Sequence, residues 1–437
     1  MNTIRNRIRS ITKLITRSIT STGRRHLATA LAGLALVVPA TQAQAAYQEG
    51  YLAPMQGWRI MQPDYPSTHA LDAISYEWDY FMIHSDTFNG IVGYVLANPR
   101  HKAAPLDWAL LPLGNNVGIV GEIPGQKPIA NYVNMGLDNS NVNGTLRGMT
   151  STGSNGQYID YRAMPGGGPN GVDALHLRGR TADFEWDLIV TQDMADRDWQ
   201  RPITGAFTTA FGSDIGVISP SEFWNVDMVW PRTNVNGWVK TLGNNQVIQV
   251  NGKGYRENSW GRYMLSVDGW DFMVFGEDSS SGVMGAFQTY HKSAIMDNLD
   301  ISFYDQGQLQ TIRYETKDKE LGWYHPDWKW DGEANSCVPT NTKVRAKNGM
   351  YTVDLDVAIG NRQRPMLTNM TVGTSIFFIQ EHFPTVTGTI RRANGTVVKT
   401  FTARAGGEFA RTKDIALWHS GLWCNLWGDN NHKAAMP

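Results

Sequence analysis

The sequence predicts an all-β protein built from two tandem antiparallel domains, each a barrel or a sandwich. Three observations lead there. Asn-Gly pairs recur at positions 89, 143, 155, 170, 236, 251, 348 and 394, and this pair favours the positive φ angles of a tight hairpin turn. Short runs rich in β-branched and aromatic residues lie between them. No long segment has a convincing helical period. Composition agrees: of 437 residues 18% are charged and 11% aromatic, with 44 Gly and 16 Trp, which excludes a largely disordered chain and a coiled coil.

The chain begins with an address. Residues 1–26 are basic and polar, 27–38 are apolar, and Ala43-Gln44-Ala45 has the A-x-A form of a cleavage site. That order reads as a secretory signal peptide over 1–45, with a mature chain from Ala46 in the periplasm or outside the cell. The apolar run falls short of the roughly 20 residues of a membrane span. Arg24-Arg25 resembles part of a twin-arginine signal. No permanent span is expected, and contact with a membrane surface stays open. Without the first 45 residues, 32 basic and 40 acidic residues remain. A mildly acidic body repels phosphate backbones, so no nucleic-acid partner is expected.

Further along, strands are expected over 78–84, 91–97, 184–191, 247–250, 270–275, 299–304, 351–357, 375–380, 385–390 and 396–402. Apolar and polar residues alternate strictly in 351–357, the mark of a half-buried strand. Residues 150–171, rich in Gly, Ser and Asn, read as a surface loop. Their Gly166-x-Gly168-x-x-Gly171 lacks the strand before and helix after that a dinucleotide site needs. Residues 213–245 also read as loop, and the domain boundary is placed at 237/238: domains 46–237 and 238–437. Cys337 and Cys424 are the only cysteines. In an oxidising compartment they form a disulfide; the alternative is two buried thiols.

The richest stretch is 252–262, where Lys253, Tyr255, Arg256, Glu257, Asn258, Ser259, Trp260 and Arg262 are set among glycines. As a strand it turns Tyr255, Glu257 and Ser259 to one face and Arg256, Asn258 and Trp260 to the other. Trp78, Tyr80, Met82 and His84 share a face by the same alternation. Glu257 is either a proton donor or a surface partner of Arg256 or Arg262. The tryptophans at 323, 328 and 330, and at 418, 423 and 427, read as core or domain contacts.

Pro231-Arg232, Val235-x-Gly237-Trp238 and Gly252-x-Gly254-Tyr255-x-Glu257-x-x-Trp260-Gly261 resemble the central signature of a lipocalin-like family. That family includes carotenoid hydratases, kievitone hydratase, tocopherol cyclase and Diels–Alderases. Glu77-Trp78-Asp79-Tyr80-Phe81 resembles its opening strand. The resemblance implies two tandem lipocalin-like domains with a greasy substrate held between them. The hydratases of the family usually carry His where this chain has Asn258, which separates the fold from the reaction.

The expected function is an exported, cofactor-free hydratase or cyclase acting on an isoprenoid or other hydrophobic alkene. Protonating such a carbon needs a neutral carboxylic acid beside an apolar wall. Glu257 is the expected acid and Asp271 the reserve. Tyr80, His84, Tyr255, Asn258, Trp260 and Trp270 are the expected substrate contacts, since ring faces stabilise a carbocation. No metal site is expected. A non-catalytic carrier of a hydrophobic ligand and a shape-driven pericyclase are the alternatives.

Overall fold

The computed structural model describes residues 55, 57, 58, 75–97, 114–135, 140–142, 145–193, 207–209, 222–262, 269–279, 281–290, 297–334, 336–360, 366–372, 375–414, 424 and 433–437. The expected signal segment 1–45 lies outside them, as do Trp418, Trp423 and Trp427.

The first sheet contains β1 (Ser75–His84), β2 (Asn89–Ala97), β3 (Gly114–Glu122), β4 (Ile129–Asn134), β5 (Ser140–Val142), β6 (Gly148–Thr152), β7 (Tyr158–Met164), β8 (Ala174–Arg180), β9 (Phe184–Gln192), β10 (Phe207–Thr209), β11 (Glu222–Thr241) and β12 (Gln246–Arg262). Its order is β4-β3-β2-β1-β12-β11-β9-β8-β7-β6-β5, with β10 beside β11. The second contains β13 (Gly269–Gly276), β14 (Met284–Tyr290), β15 (Asn298–Asp305), β16 (Gln308–Glu315), β17 (Leu321–Asp331), β18 (Ser336–Lys347), β19 (Tyr351–Ala358), β20 (Met366–Val372), β21 (Ser375–His382), β22 (Thr385–Arg392), β23 (Val397–Asp414) and β24 (Lys433–Ala434). Its order is β16-β15-β14-β13-β23-β22-β19-β18-β17-β24, with β21 also on β23 and β20 on β21. All pairings are antiparallel.

Ring contacts show that each sheet curls around its own core. Tyr94 on β2 stacks on Tyr161 of β7 with centroids 4.7 Å apart. These strands are six steps apart in the sheet, nearly 30 Å if it were flat at about 4.8 Å per step. Phe303 on β15 meets Tyr351 of β19 at 5.2 Å across five steps. Two tandem lipocalin-like β domains result.

The chain passes between sheets after Arg262 and before Gly269, later than the expected boundary at 237/238. The sequence reading takes residues 213–245 as loop-like with scattered aromatics. In fact β11 runs through residue 237, absorbing the irregularity as register shifts between Met228 and Thr233. The glycine-rich stretch 150–171 likewise holds the end of β6, all of β7 and the turns beside them. Asn155 and Asn170 take the left-handed φ of 60° and 59° expected of hairpin turns. Asn236-Gly237 and Asn251-Gly252 instead lie inside strands. There the glycines permit close approach. A Cβ on Gly254 would sit 1.8 Å from the Met82 carbonyl oxygen. Gly254→Ala should therefore lower stability by about 3 kcal/mol, the upper end for overpacking, readable as a fall in the denaturant midpoint.

Cys337 and Cys424 form a disulfide across 87 residues. Chain-entropy reasoning assigns a loop of that length roughly 4 kcal/mol. Reduction, or Cys337→Ser with Cys424→Ser, should lower the unfolding free energy by about that amount.

Candidate active site between the two sheets

Alternation decides which residues meet. In β1, Glu77, Asp79 and Phe81 turn into the first barrel, while Trp78, Tyr80, Met82 and His84 turn toward the second sheet. Tyr80 lies directly across from Glu257, Met82 from Tyr255 and Trp78 from Ser259. The second sheet answers with Trp270 and Phe272 of β13, Glu381 of β21 and Glu408 of β23. Glu381 and Glu408 are cross-strand partners. Residues 255–259 of β12 and 269–275 of β13 are buried on both faces, as strands between two packed layers must be.

Three carboxyl groups therefore come together in a dry interface. Glu257, Glu381 and Glu408 are 4%, 0% and 7% exposed. Glu257 Oε1 accepts hydrogen bonds from Ser259 Oγ (2.8 Å) and Trp78 Nε1 (3.4 Å). Its Oε2 is buried with no partner among the described residues. Glu381 Oε2 accepts from the Tyr80 hydroxyl at 2.7 Å, a bond that crosses from one sheet to the other; its Oε1 is buried without a partner among the described residues. Glu408 Oε1 accepts from Trp270 Nε1 at 2.7 Å. The Tyr255 hydroxyl is also buried, with no hydrogen-bond partner among the described residues. Its ring lies 6.1 Å from Tyr80 and 6.2 Å from Phe272, centroid to centroid.

Burial disfavours the charged form of a carboxyl, and neighbouring carboxylates disfavour it further. Glu257 is pushed up to about 8, by desolvation first and then by Glu408. Glu408 is pushed up to about 7, again by desolvation, while the Trp270 N–H bond pulls it back. Glu381 is raised well above the ordinary range by desolvation, Glu408 and Glu257. Desolvation, Glu257, Glu408 and Glu381 together hold the Tyr255 phenol protonated.

The other expected residues fall into three groups. Tyr80, Tyr255 and Trp270 line this interface. The backbone of Trp260 pairs with Glu77 in β1; its side chain lies outside the described residues. His84 is half-buried at the rim, its ring 6.3 Å from Phe383. Desolvation and Arg404 push it down to about 4, so it is neutral at pH 7. His84 and Arg404 line a cleft of about 450 Å³ with Phe383 and Ile359. They also line a pocket of about 30 Å³ that includes Tyr255.

Two expected residues belong elsewhere. Asn258 faces into the first barrel with Arg256. Its amide donates to Glu77 Oε1 (3.1 Å) and the Trp78 carbonyl (3.0 Å). There Arg147 bonds Glu77 at 2.6 Å and Asp79 at 3.2 Å. Arg256 bonds Asp79 at 3.2 Å, and the Tyr161 hydroxyl donates to Asp79 at 2.6 Å. Two carboxylates and two guanidinium groups are paired there. Asn258 joins that network rather than a substrate wall. Asp271, the reserve acid, has opposite parity to Trp270 and faces into the second barrel. Its Oδ2 bonds His325 Nε2 at 2.9 Å, and His325 Nδ1 bonds Thr342 Oγ1 at 2.9 Å. The sheet itself separates it from Glu257.

Glu381 and Glu408 escaped the sequence reading. The available signal was a carboxyl set in an apolar strand: Ile376-Phe377-Phe378-Ile379-Gln380-Glu381, and Gly406-Gly407-Glu408-Phe409. Among the described residues no helix is long and apolar enough to cross a membrane, and no group of three or more His, Cys, Asp or Glu could hold a metal.

No protein-family model and no curated protein matches the chain. Among solved structures it is similar to kievitone hydratase from Nectria haematococca, with 10% identity over 82% of this chain and 98% of that one, and a TM-score of 0.44. It is similar to CghA solved with Sch210972 at 10% identity, over 84% of this chain and 98% of that one, also with a TM-score of 0.44. Both similarities lie at identities where chemistry does not follow from fold.

Proposed function

We propose that the chain is a hydratase, or a related cofactor-free lyase or cyclase, that protonates an isoprenoid or other hydrophobic alkene between its two domains. One observation carries the reading: Glu257 is a buried carboxyl, neutral at pH 7, with one oxygen that has no hydrogen-bond partner among the described residues. A proton can reach carbon only from an acid that still holds it at working pH. The resulting cation then needs shielding. Tyr80, Tyr255, Trp270 and Phe272 offer ring faces, each cation–π contact being worth about 2 kcal/mol when desolvated. Three buried carboxyls each cost stability when they ionise, which favours a catalytic use for them over a simple carrier.

The test is turnover in D₂O of isoprenoid alkenes that co-purify with the protein, identified by mass spectrometry. Acid catalysis predicts deuterium at the protonated carbon. A chain that binds such alkenes and never exchanges deuterium is a carrier, and the proposal fails. A cyclised product without deuterium marks a shape-driven pericyclase.

Export through residues 1–45 into the periplasm or medium belongs to the same proposal, and the disulfide is consistent with an oxidising compartment. Amino-terminal sequencing of the secreted protein should begin at Ala46. Retention of residues 1–45 would refute export by cleavage.

A further inference from the structure

The proposed reaction leaves one task unassigned. Adding water to a cation releases a proton, and a dry interface needs a group to take it. The candidates are the other two carboxyls. Glu381 is engaged by the Tyr80 hydroxyl, a neutral donor. Glu408 is held through Oε1 by the Trp270 indole N–H, a donor that cannot accept a proton in return. It lies on the second sheet, facing Glu257 and Tyr255 on the first, and Glu257 and Tyr255 both sense its charge. The Tyr255 hydroxyl, buried and without a hydrogen-bond partner among the described residues, senses both carboxyls. A small pocket of about 30 Å³ has Tyr255, Lys253, His84 and Val274 among its lining residues. That volume suffices for one or two waters.

Resting on the hydratase reading, we infer that Glu408 is the general base of this site and that Tyr255 orients the water it activates. The step balances. The Glu257 O–H bond breaks and its proton joins the alkene carbon through the π pair. A water lone pair closes the C–O bond to the cation. A water O–H bond breaks and its proton goes to the Glu408 carboxylate. Alkene and water become an alcohol, with no oxidant or reductant. Glu257 ends ionised and Glu408 protonated, and one proton passed back restores the site. Acid and base stand on different sheets, Glu257 on β12 and Glu408 on β23.

The assignment also fits the charge balance. Three carboxyls this close cannot all ionise. The groups facing Glu408 are Glu381 from β21, Glu257 and Tyr255 from β12, Tyr80 from β1 and Trp270 from β13. None is a cation. One shared negative charge settles on the member with the strongest N–H donor, which is Glu408, and the other two remain acids.

Two measurements test this on the full chain. The first is infrared titration of the buried carboxyl band in D₂O for wild type, Glu257→Gln and Glu408→Gln. Glu408→Gln should lower the Glu257 midpoint, because the neighbouring charge that raises it most is gone. An unmoved midpoint shows the two groups uncoupled and overturns the inference. The second uses geranylacetone in D₂O. Glu408→Gln should lose alcohol formation at least 100-fold, as expected for a lost general base, yet still place deuterium in the recovered alkene. Glu408→Asp should restore part of the hydration, and Glu257→Gln should lose both reactions. Alcohol formed at the wild-type rate by Glu408→Gln overturns the base assignment alone. A wild type that neither hydrates nor exchanges refutes the acid proposal, and this inference with it.

Discussion

Glu257→Gln should reduce turnover by at least a thousand-fold while leaving ligand affinity within a few-fold of wild type. The amide keeps the shape of the side chain and can still accept from Ser259 and Trp78, but it holds no acidic proton. General acid catalysis is ordinarily worth 10²- to 10⁴-fold, and a cation in a dry site has no solvent acid to replace it. The same variant should be the more stable protein at alkaline pH. The Glu257 carboxyl titrates near 8 in the fold, against an ordinary 4.5. Below about 4.5 both folded and unfolded chains hold the proton, and nothing is lost. Between about 4.5 and 8 the unfolded chain releases it and the folded chain does not, so stability falls as pH rises. Above about 8 the loss is complete. Each unit of difference corresponds to about 1.4 kcal/mol, so the loss amounts to a few kcal/mol. Gln has no such slope. Melting of the two proteins at pH 4.5 and pH 8.5 reads it: the variant should gain on wild type only at the higher pH. A parallel pair of profiles would remove Glu257 from the list of buried neutral acids.

Arg256→Leu should destabilise the chain by about 3–5 kcal/mol, the usual cost of breaking a buried ion pair by removing one partner. Asp79 is fully buried and held below the usual carboxylate range: desolvation opposes this, and Arg147, Arg256 and the Tyr161 hydroxyl overcome it. Removing Arg256 leaves Asp79 with one guanidinium and drops a cation from the face of Trp230, whose centroid lies 5.1 Å away. The double variant Arg256→Leu with Asp79→Leu should recover much of the loss, because the network shrinks to the Arg147–Glu77 pair and no charge is stranded. Chemical denaturation with a double-mutant cycle measures the coupling. A loss below about 1 kcal/mol in the single variant would mean that water reaches Asp79 and the network is not dry.

These two variants differ by one position in the same strand, and that parity was already readable. Alternation along 255–260 separates Glu257 from Arg256 and Asn258, and alternation along 78–84 puts Trp78 and Tyr80 on one face; the register that sets them across from Ser259 and Glu257 came from the structure. The same rule, applied to Trp270 and Asp271, would have put the reserve acid on the wrong face. Listing Asn258 among substrate contacts set aside its parity in favour of the family resemblance. The β-rich runs were legible for the same reason: a period of two is a local property of consecutive residues. The long strands β11 and β12 were harder, because their Gly, Asn and Pro read as turns until a neighbouring strand shows what they accommodate.

By itself, then, the sequence determined the class of fold, the two faces of β1 and β12, and Glu257 as the carboxyl worth watching. Each of these rests on neighbours within a few residues. The tertiary structure alone decided that Glu257 is dry, that Glu381 and Glu408 join it, and that Asp271 does not. Those facts depend on pairings more than a hundred residues apart and on which barrel face meets which. Burial sets the protonation state of a carboxyl, and burial is a property of the packed interface, not of the strand that carries the residue.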